Sequence, residues 1–295
     1  MSQLSIIIPA YNEAGGIQET VTRVRALAVR EGWEHEVIVV DDGSTDTTAQ
    51  EAEAAGARVV RHPMNAGYGL SLQHGIQNAR YPLIANARYP LIAITDADGT
   101  YPIEELPALL QMVQEGFDMA VGARQGTEYK KGLWKYPARI LFRWLAEYVA
   151  GRRIPDINSG LRIFRRDRVL PHLPYTCFGF SFTTSITLIF FLQGWFVGYR
   201  PIPYAKRIGA SKVRHLRDTL RTAQIMVSII SRYNPIKLFL LIAMISGVAG
   251  LFSLGVGLVT RSVALSVLGA ALIGVAPLIF SLGPLAESTR NTLPG

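Results

Sequence analysis

Apolar residues in the first part of the chain fall into short β-branched runs that each break into a polar turn, and between the runs they recur every third or fourth position. Residues 4–8 and 36–40 read as strands, and Ile17, Val21, Val24 and Leu27 mark one face of a helix over 16–30 between them. This is a βαβ unit. The same pattern predicts a strand over 57–61, a helix over 69–79, a strand over 91–95, a helix over 103–115 and a strand over 119–122. Such alternation implies a mainly parallel sheet covered by helices, with ligands held outside the carboxyl ends of the strands. No basic segment precedes Leu4, and Pro9-Ala10-Tyr11-Asn12-Glu13 follows the run at once, so residues 4–8 are expected as a strand and not an export signal.

One repeat interrupts this order. Residues 78–85 read NARYPLIA, and residues 86–93 read NARYPLIA again. One copy suffices to join the helix to the next strand. The expectation is that the other copy is extruded or extends the helix, with Leu91 to Thr95 as the true strand.

Past residue 235 the pattern changes. From Ile236 to Val259 the chain is apolar, Gly and Ser except for Lys237, and about 24 residues at about 1.5 Å each reach about 36 Å, enough to cross a bilayer. Val263 to Leu282 is a second such run, separated by a tight connection containing Arg261, so an antiparallel hairpin of membrane helices is predicted. A buried hairpin of a soluble domain fits less well, because neither run has a polar face. Gly247, Gly250, Gly255, Gly257, Gly269 and Gly274 would let the two helices approach closely.

Charge sharpens this division. The 295 residues carry a net charge of +8. Between Arg200 and Lys237 there are nine basic residues and one acid, Asp218. This cluster adjoins the first apolar run, which favours anionic lipid over nucleic acid as its partner and places the N-terminal domain and both termini in the cytoplasm. Leu216, Leu220, Ala223, Val227 and Ile230 recur at helical spacing. Such a helix suits a membrane surface or the soluble core, and both together in a homo-oligomer. The organisation expected is a catalytic domain over 1–214, a juxtamembrane amphipathic helix over 215–235, a transmembrane hairpin over 236–285 and a cytoplasmic tail over 286–295. Cys177 is the only cysteine, which excludes internal disulfides and cysteine-rich metal sites.

The candidate chemistry lies at the strand ends. Ala93-Ile94-Thr95-Asp96-Ala97-Asp98-Gly99 sets two carboxylates one residue apart where a strand breaks into a turn, an arrangement that can hold a hard divalent cation against a diphosphate. Acidic pairs in such places also serve as plain turn formers. Val40-Asp41-Asp42-Gly43-Ser44-Thr45-Asp46 follows the second predicted strand, with Ser44 or Thr45 expected to cap the next helix.

Taken with Pro9 to Glu13 and Thr95 to Tyr101, these segments resemble the family 2 glycosyltransferases of the GT-A fold. Asn65-Ala66-Gly67-Tyr68-Gly69, Gly122-Ala123-Arg124, Asp156-Ile157-Asn158-Ser159-Gly160-Leu161-Arg162 and Arg207-Ile208-Gly209-Ala210-Ser211-Lys212 extend the resemblance to the polyprenyl-phosphate group, the dolichyl-phosphate mannose synthases and their undecaprenyl-phosphate relatives. It covers nearly the whole chain. The resemblance implies an α/β fold, a Rossmann-like GT-A domain with juxtamembrane amphipathic helices and a C-terminal transmembrane hairpin. It implies inverting transfer of one hexose from a nucleotide sugar of the GDP-mannose or UDP-glucose type to a polyprenyl phosphate.

It also implies roles. Pro9, Tyr11, Glu13 and Asp42 would line the nucleoside pocket, Asp96 and Asp98 would bind Mg²⁺ or Mn²⁺ on the diphosphate, and Arg124 would complete the catalytic set. Where relatives often carry a Gln two residues beyond the second Asp this chain has Thr100, so water would stand in for a third protein ligand. Arg124, Arg139, Ser159, Arg162, Arg207, Ser211 and Lys212 would gather the lipid phosphate and the diphosphate, because guanidinium groups suit two mutually repelling phosphates. A polysaccharide synthase is disfavoured, since the chain lacks a Gln-x-x-Arg-Trp motif. A sugar nucleotidyltransferase would also use paired acids but gives no reason for the hairpin, and a non-catalytic membrane scaffold gives no reason for the acids.

Overall fold

A computed structural model of the chain describes residues 3–79, 90–125, 137–179, 181–204 and 215–292. The chain divides into two compact units, Met1–Ile225 and Met226–Gly295.

In the first unit, seven strands among the described residues form one sheet in the order β3-β2-β1-β4-β6-β5-β7. They are β1 (Gln3–Ala10), β2 (Glu34–Asp41), β3 (Arg58–Arg61), β4 (Leu91–Ile94), β5 (Met119–Gln125), β6 (Arg162–Arg165) and β7 (Val197–Pro203). The pairs β1/β2, β1/β4, β2/β3 and β5/β7 are parallel, while β6 runs antiparallel to both β4 and β5. The expected mainly parallel sheet therefore carries one reversed strand. Its helices are α1 (Ile17–Arg30), α2 (Thr48–Ala54), α3 (Tyr68–Asn78), α4 (Leu106–Gln114), α5 (Pro137–Ala150), α6 (Arg166–Val169) and α7 (Phe182–Leu192).

Both faces of the sheet are covered, which is why its central strands read as unbroken apolar runs and not as an alternation. On one face Ile6 and Ile8 of β1 join Val37, Val39, Ala93 and Ile163, against Val21 and Val24 of α1 and Leu109 of α4. On the other face Ile7 joins Ile38, Val40, Ile92, Ile94 and Phe164, against Leu72 and Ile76 of α3 and Ile186 of α7. Successive strand side chains point to opposite faces, so Ile6, Ile7 and Ile8 fill two cores at once.

Several expectations meet the structure here. The strand that closes the repeat is Leu91–Ile94, and the first NARYPLIA copy from Arg80 onward, with the first half of the second, lies outside the described residues. The cap expected from Ser44 or Thr45 is corrected. Helix α2 starts later, at Thr48, and the Asp46 carboxylate accepts the Thr48 N–H at 3.0 Å. Ser44 and Thr45 are drawn instead to the loop after β1, as described below.

Helix α8 (His215–Tyr233) crosses the boundary between the units, and Leu220 and Val227 of its expected stripe are exposed. The second unit contains α9 (Pro235–Thr260) and α10 (Val263–Thr292), both long and apolar enough to cross a membrane. Helix α10 runs past the boundary expected at residue 285. Asn234 caps α9, its Oδ1 accepting the Lys237 N–H at 3.1 Å, and Arg261 in the left-handed region turns the chain into α10. The two helices touch along small residues. A Cβ on Gly269 would lie 2.5 Å from Leu254 N and 2.7 Å from Gly250 O. That closeness lets Ser246 and Ser253 donate across the seam to the carbonyls of Leu272 and Leu265, at 3.0 and 2.9 Å. Bulky side chains point away from the seam, Phe252 being 75 % exposed.

Gly269→Leu forces the helix backbones apart, and the expected cost is about 1–3 kcal/mol, the range for overpacking. Thermal unfolding of the detergent-solubilised chain checks this, with Gly255→Leu as the control, since nothing lies within 4 Å of a Cβ at Gly255.

Candidate active site

The parallel strands β1, β2, β3, β4, β5 and β7 end at one edge of the sheet, and reversed β6 begins there. Seven strand ends meet at that edge as a result. Ions collect at such ends because buried strands leave backbone groups and polar side chains unsatisfied where the core stops.

After β1 and β2, two turns are laced together. The Asn12 N–H donates to Ser44 Oγ (2.9 Å), the Glu13 N–H to Thr48 Oγ1 (2.8 Å), the Ala14 N–H to Asp46 Oδ2 (3.2 Å) and the Gly15 N–H to Glu51 Oε2 (2.7 Å). Thr45 N–H donates back to Asn12 Oδ1 at 2.9 Å. Burial works against the charge of Asp46, but donors from Thr48 and Ala14 outweigh it and lower its pKa below the ordinary carboxylate value. Tyr11 and Glu13 stand half-buried on this laced wall, above buried Pro9. Asp42 turns inward. Its carboxylate accepts the N–H groups of Ala66 (2.9 Å) and Gly67 (2.8 Å) and faces His62 Nδ1 at 2.8 Å.

The turn after β4 carries Asp96 and Asp98, both half-buried. Asp98 Oδ1 accepts from the backbone N–H of Thr100 (3.1 Å) and from its hydroxyl (2.7 Å), and Gly99 takes a positive φ of 68° to close the turn. Thr100 is thereby fixed as a donor to Asp98. Asp96 Oδ1 accepts the hydroxyl of Tyr68, the first residue of α3, at 3.0 Å. A Cβ on Gly160 would lie 2.9 Å from Asp96 Oδ1 and 3.0 Å from Oδ2, so a side chain there would crowd that carboxylate. Gly160 is held in turn by its own N–H, which donates to Tyr101 OH at 2.7 Å.

On the far side, Arg124 at the end of β5 forms a bidentate pair with Asp156, Nε to Oδ2 at 2.7 Å and Nη2 to Oδ1 at 2.9 Å. Asp156 is 1 % exposed and Arg124 15 %, so this pair is desolvated. The Arg124 guanidinium also lies over the ring of Tyr204, 5.3 Å from its centroid, and Tyr204 meets Tyr101 edge-on. Ser159 is buried and donates to the carbonyl of Gly122.

Arg162 is fully buried and placed away from solvent. Its guanidinium donates to the carbonyls of Ser159 and Thr183 and to Thr187 Oγ1, the last at 3.0 Å. Burial pulls its pKa below the ordinary arginine value. It braces the 157–160 turn from behind. The structure thus gathers Asp96, Asp98, Arg124 and Ser159 around one edge, with Pro9, Tyr11, Glu13 and Asp42 on its laced wall. Arg139 is on the first turn of α5, its side chain not among those described, and Arg207, Ser211 and Lys212 lie outside the described residues. Tyr68, Tyr101, Tyr204, Asp156 and Gly160 were not singled out from the sequence. Four of these five sit inside or beside the segments that carry the resemblance, but only the fold shows what each one touches.

The arrangement fits a divalent cation. Two hard carboxylates share a turn, and a Cβ at Gly160 would press on one of them. Among the described residues no group of three or more His, Cys, Asp or Glu could hold a metal, so the chain would supply two carboxylates and leave the remaining positions to a ligand and water.

Comparison with solved structures agrees with this architecture. Glucosyl-3-phosphoglycerate synthase from Mycobacterium tuberculosis, solved with Mn²⁺, UDP-glucose and phosphoglyceric acid, superposes with a TM-score of 0.58 over 78 % of this chain and 79 % of its own, at 18 % identity. The fold is therefore that of the GT-A enzymes, with two long apolar helices after it. The sequence pattern of glycosyl transferase family 2 matches residues 5–186, and the chain belongs to that family. Among its relatives, the low-salt glycan biosynthesis hexosyltransferase Agl6 of Haloferax volcanii is 31 % identical over 76 % of this chain and 53 % of its own length. The dolichyl-phosphate hexose transferase of the same organism is 29 % identical over 71 % and 86 %. The undecaprenyl-phosphate 4-deoxy-4-formamido-L-arabinose transferase of Shewanella sediminis is 34 % identical over 55 % and 48 %. The match thus spans about half the length of the first and third.

Three tyrosines give this site a signature at alkaline pH. Burial first, then the charge of Asp96, raises the pKa of Tyr68 well above the ordinary phenol value. Burial also raises Tyr101 and Tyr199. Their folded pKa values exceed the unfolded one near 10, so their contribution to stability is complete below about pH 10 and is lost as pH rises toward the folded values. Titration of the tyrosinate absorbance should leave at least these three of the 12 tyrosines protonated until the chain unfolds. Tyr68→Phe should make the alkaline fall in stability shallower.

Proposed function

We propose that the chain transfers a single hexose from a nucleoside-diphosphate sugar to a polyprenyl phosphate, with inversion at the anomeric carbon. The work is done at the cytoplasmic face of the inner membrane of a bacterium. The observation that carries the reading is the Asp96/Asp98 turn, facing Arg124 across Gly160 and Tyr101, in a chain that also has two helices of membrane-crossing length. Relatives named for dolichyl-phosphate and undecaprenyl-phosphate transfer support the acceptor class. The domain division expected from the sequence, with the tail beginning at 286, remains part of this proposal.

Asp96 and Asp98 hold Mg²⁺ or Mn²⁺, which when bound supplies Lewis-acid stabilisation of the leaving nucleoside diphosphate. Tyr11 and Glu13, on the laced wall beside Pro9, bind the nucleoside, and Asp42 supports that wall. An oxygen of the acceptor phosphate attacks the anomeric carbon from the face opposite the donor phosphate. The bond from that carbon to the diphosphate oxygen breaks, and its electron pair leaves with the nucleoside diphosphate. A phosphate anion carries no proton that must first be removed, so the site needs no general base. What it needs is positive potential between two phosphates. Arg124 supplies it, tuned by Asp156, and we assign Arg139, Arg207, Ser211 and Lys212 to the same task. Arg162 and Ser159 act as scaffold, bracing the turn that brings Gly160 to Asp96.

Incubating the full chain in membranes with Mn²⁺, undecaprenyl phosphate and radiolabelled UDP-glucose or GDP-mannose should move label into the organic extract. Label that stays in the aqueous phase for every donor of the two classes overturns the reading. Asp98→Asn and Asp96→Asn should each lower that transfer by more than about 100-fold with the circular dichroism spectrum unchanged, since loss of a second-sphere partner of a metal already costs about 10–100-fold. Gly160→Ala, which only crowds Asp96, should fall within about 10–100-fold.

A further inference from the structure

Behind the laced wall Asp42 heads a row of polar side chains whose two histidines have no part in the transfer chemistry. Asp42 Oδ1 is 2.8 Å from His62 Nδ1, and His62 Nε2 is 2.8 Å from His74 Nδ1. The two rings meet edge-on at 4.8 Å, and the side chains of His62 and Asp42 are 6 % and 5 % exposed. An ionised carboxylate can only accept, so His62 donates through Nδ1. His62 Nε2 and His74 Nδ1 share the second hydrogen bond of the row. Burial first, then the neighbouring His62, lowers the pKa of His74, with Asp42 opposing, so His74 is neutral at pH 7.

The turn that Asp42 holds is the one that starts α3. A carboxylate offers about four acceptor positions, and Asp42 uses three on His62 and on the N–H groups of Ala66 and Gly67. Gly67 has a φ of 107°, and a Cβ there would lie 2.9 Å from the carbonyl oxygen of Phe178, so the turn has little freedom to relax. The next residue, Tyr68, sets its hydroxyl on Asp96. His74 belongs to the same helix, so the row from His74 through His62 to Asp42 ties α3 to β2 on the side of the site.

We propose that His62 and His74 are positioning residues for the donor half of the reaction. They hold the Asp42 carboxylate against the 65–67 turn, and through Tyr68 they set the orientation in which Asp96 meets a divalent cation and its diphosphate. The consequence for transfer rests on the function proposed above; the mechanical coupling does not.

Two measurements on the full chain separate these. Hydrogen–deuterium exchange without ligand reads the coupling directly. His62→Leu removes the donor to Asp42, whereas His62→Asn keeps an N–H near the place of Nδ1. Peptides spanning residues 65–68 should exchange about tenfold faster in His62→Leu, which corresponds to about 1.4 kcal/mol of lost protection. They should return toward the wild-type rate in His62→Asn, while peptides from α1 stay unchanged. His74→Leu, farther from the turn, should give a smaller change of the same sign and serves if His62→Leu does not fold. Equal exchange in the wild type and the leucine variants overturns the proposal. In the transfer assay, the donor KM and the Mn²⁺ concentration for half activation should rise about tenfold in His62→Leu with the acceptor KM unchanged, and His62→Asn should restore both. A fall in kcat alone, equal for both substrates, would mean a role in folding only and would also overturn it. A wild-type chain that transfers no sugar defeats the proposed function, and the exchange result then still decides the coupling.

Discussion

An ionised carboxylate at the end of a buried strand has to be solvated by something, and in this chain that requirement organises the catalytic edge. Asp96 leaves β4 with one oxygen on the Tyr68 hydroxyl and the backbone of Gly160 against its flank. The first contact draws in the start of α3, and the second draws in the connection to β6. Both contacts come from chain that lies far from Asp96 in sequence, so the turn is fixed in place by the fold around it.

The opposite wall follows the reverse principle. Arg124 and Asp156 neutralise one another at bonding distance, and Arg162 is sunk beneath them on uncharged oxygens. Removing either partner of a buried pair leaves an uncompensated charge, so such a pair defines a single geometry even where it adds little net stability. The β5–β6 connection is held in that geometry, and Gly160 with it.

The doubly covered sheet was legible because burial on both faces leaves its trace in consecutive residues such as Ile6, Ile7 and Ile8. The membrane-length helices were legible because composition alone specifies them. β6 was not, since Arg162-Ile-Phe-Arg165 is four residues with a cation at each end, and only pairing with β4 and β5 makes it a strand. Among site residues, Asp96, Asp98 and Arg124 fall in segments whose residue types already suggest their chemistry. Arg162 sits in such a segment too, yet sequence cannot tell a guanidinium turned to solvent from one turned to backbone carbonyls. The Ser44 hydroxyl misled for a related reason. A hydroxyl just ahead of a helix usually caps it, but a neighbouring turn came within reach and took the bond instead.

The reversed strand also divides the chain's labour. Strands β3, β2, β1 and β4, all from residues before 95, occupy one side of the sheet, and β6, β5 and β7, all from residues after 118, occupy the other. The border between β4 and β6 is where Asp96 meets Gly160. Each half of this edge is therefore encoded by its own contiguous stretch of gene, and recombination or drift can remodel one stretch without rewriting the other, so long as the close approach of Gly160 to Asp96 at the border is kept.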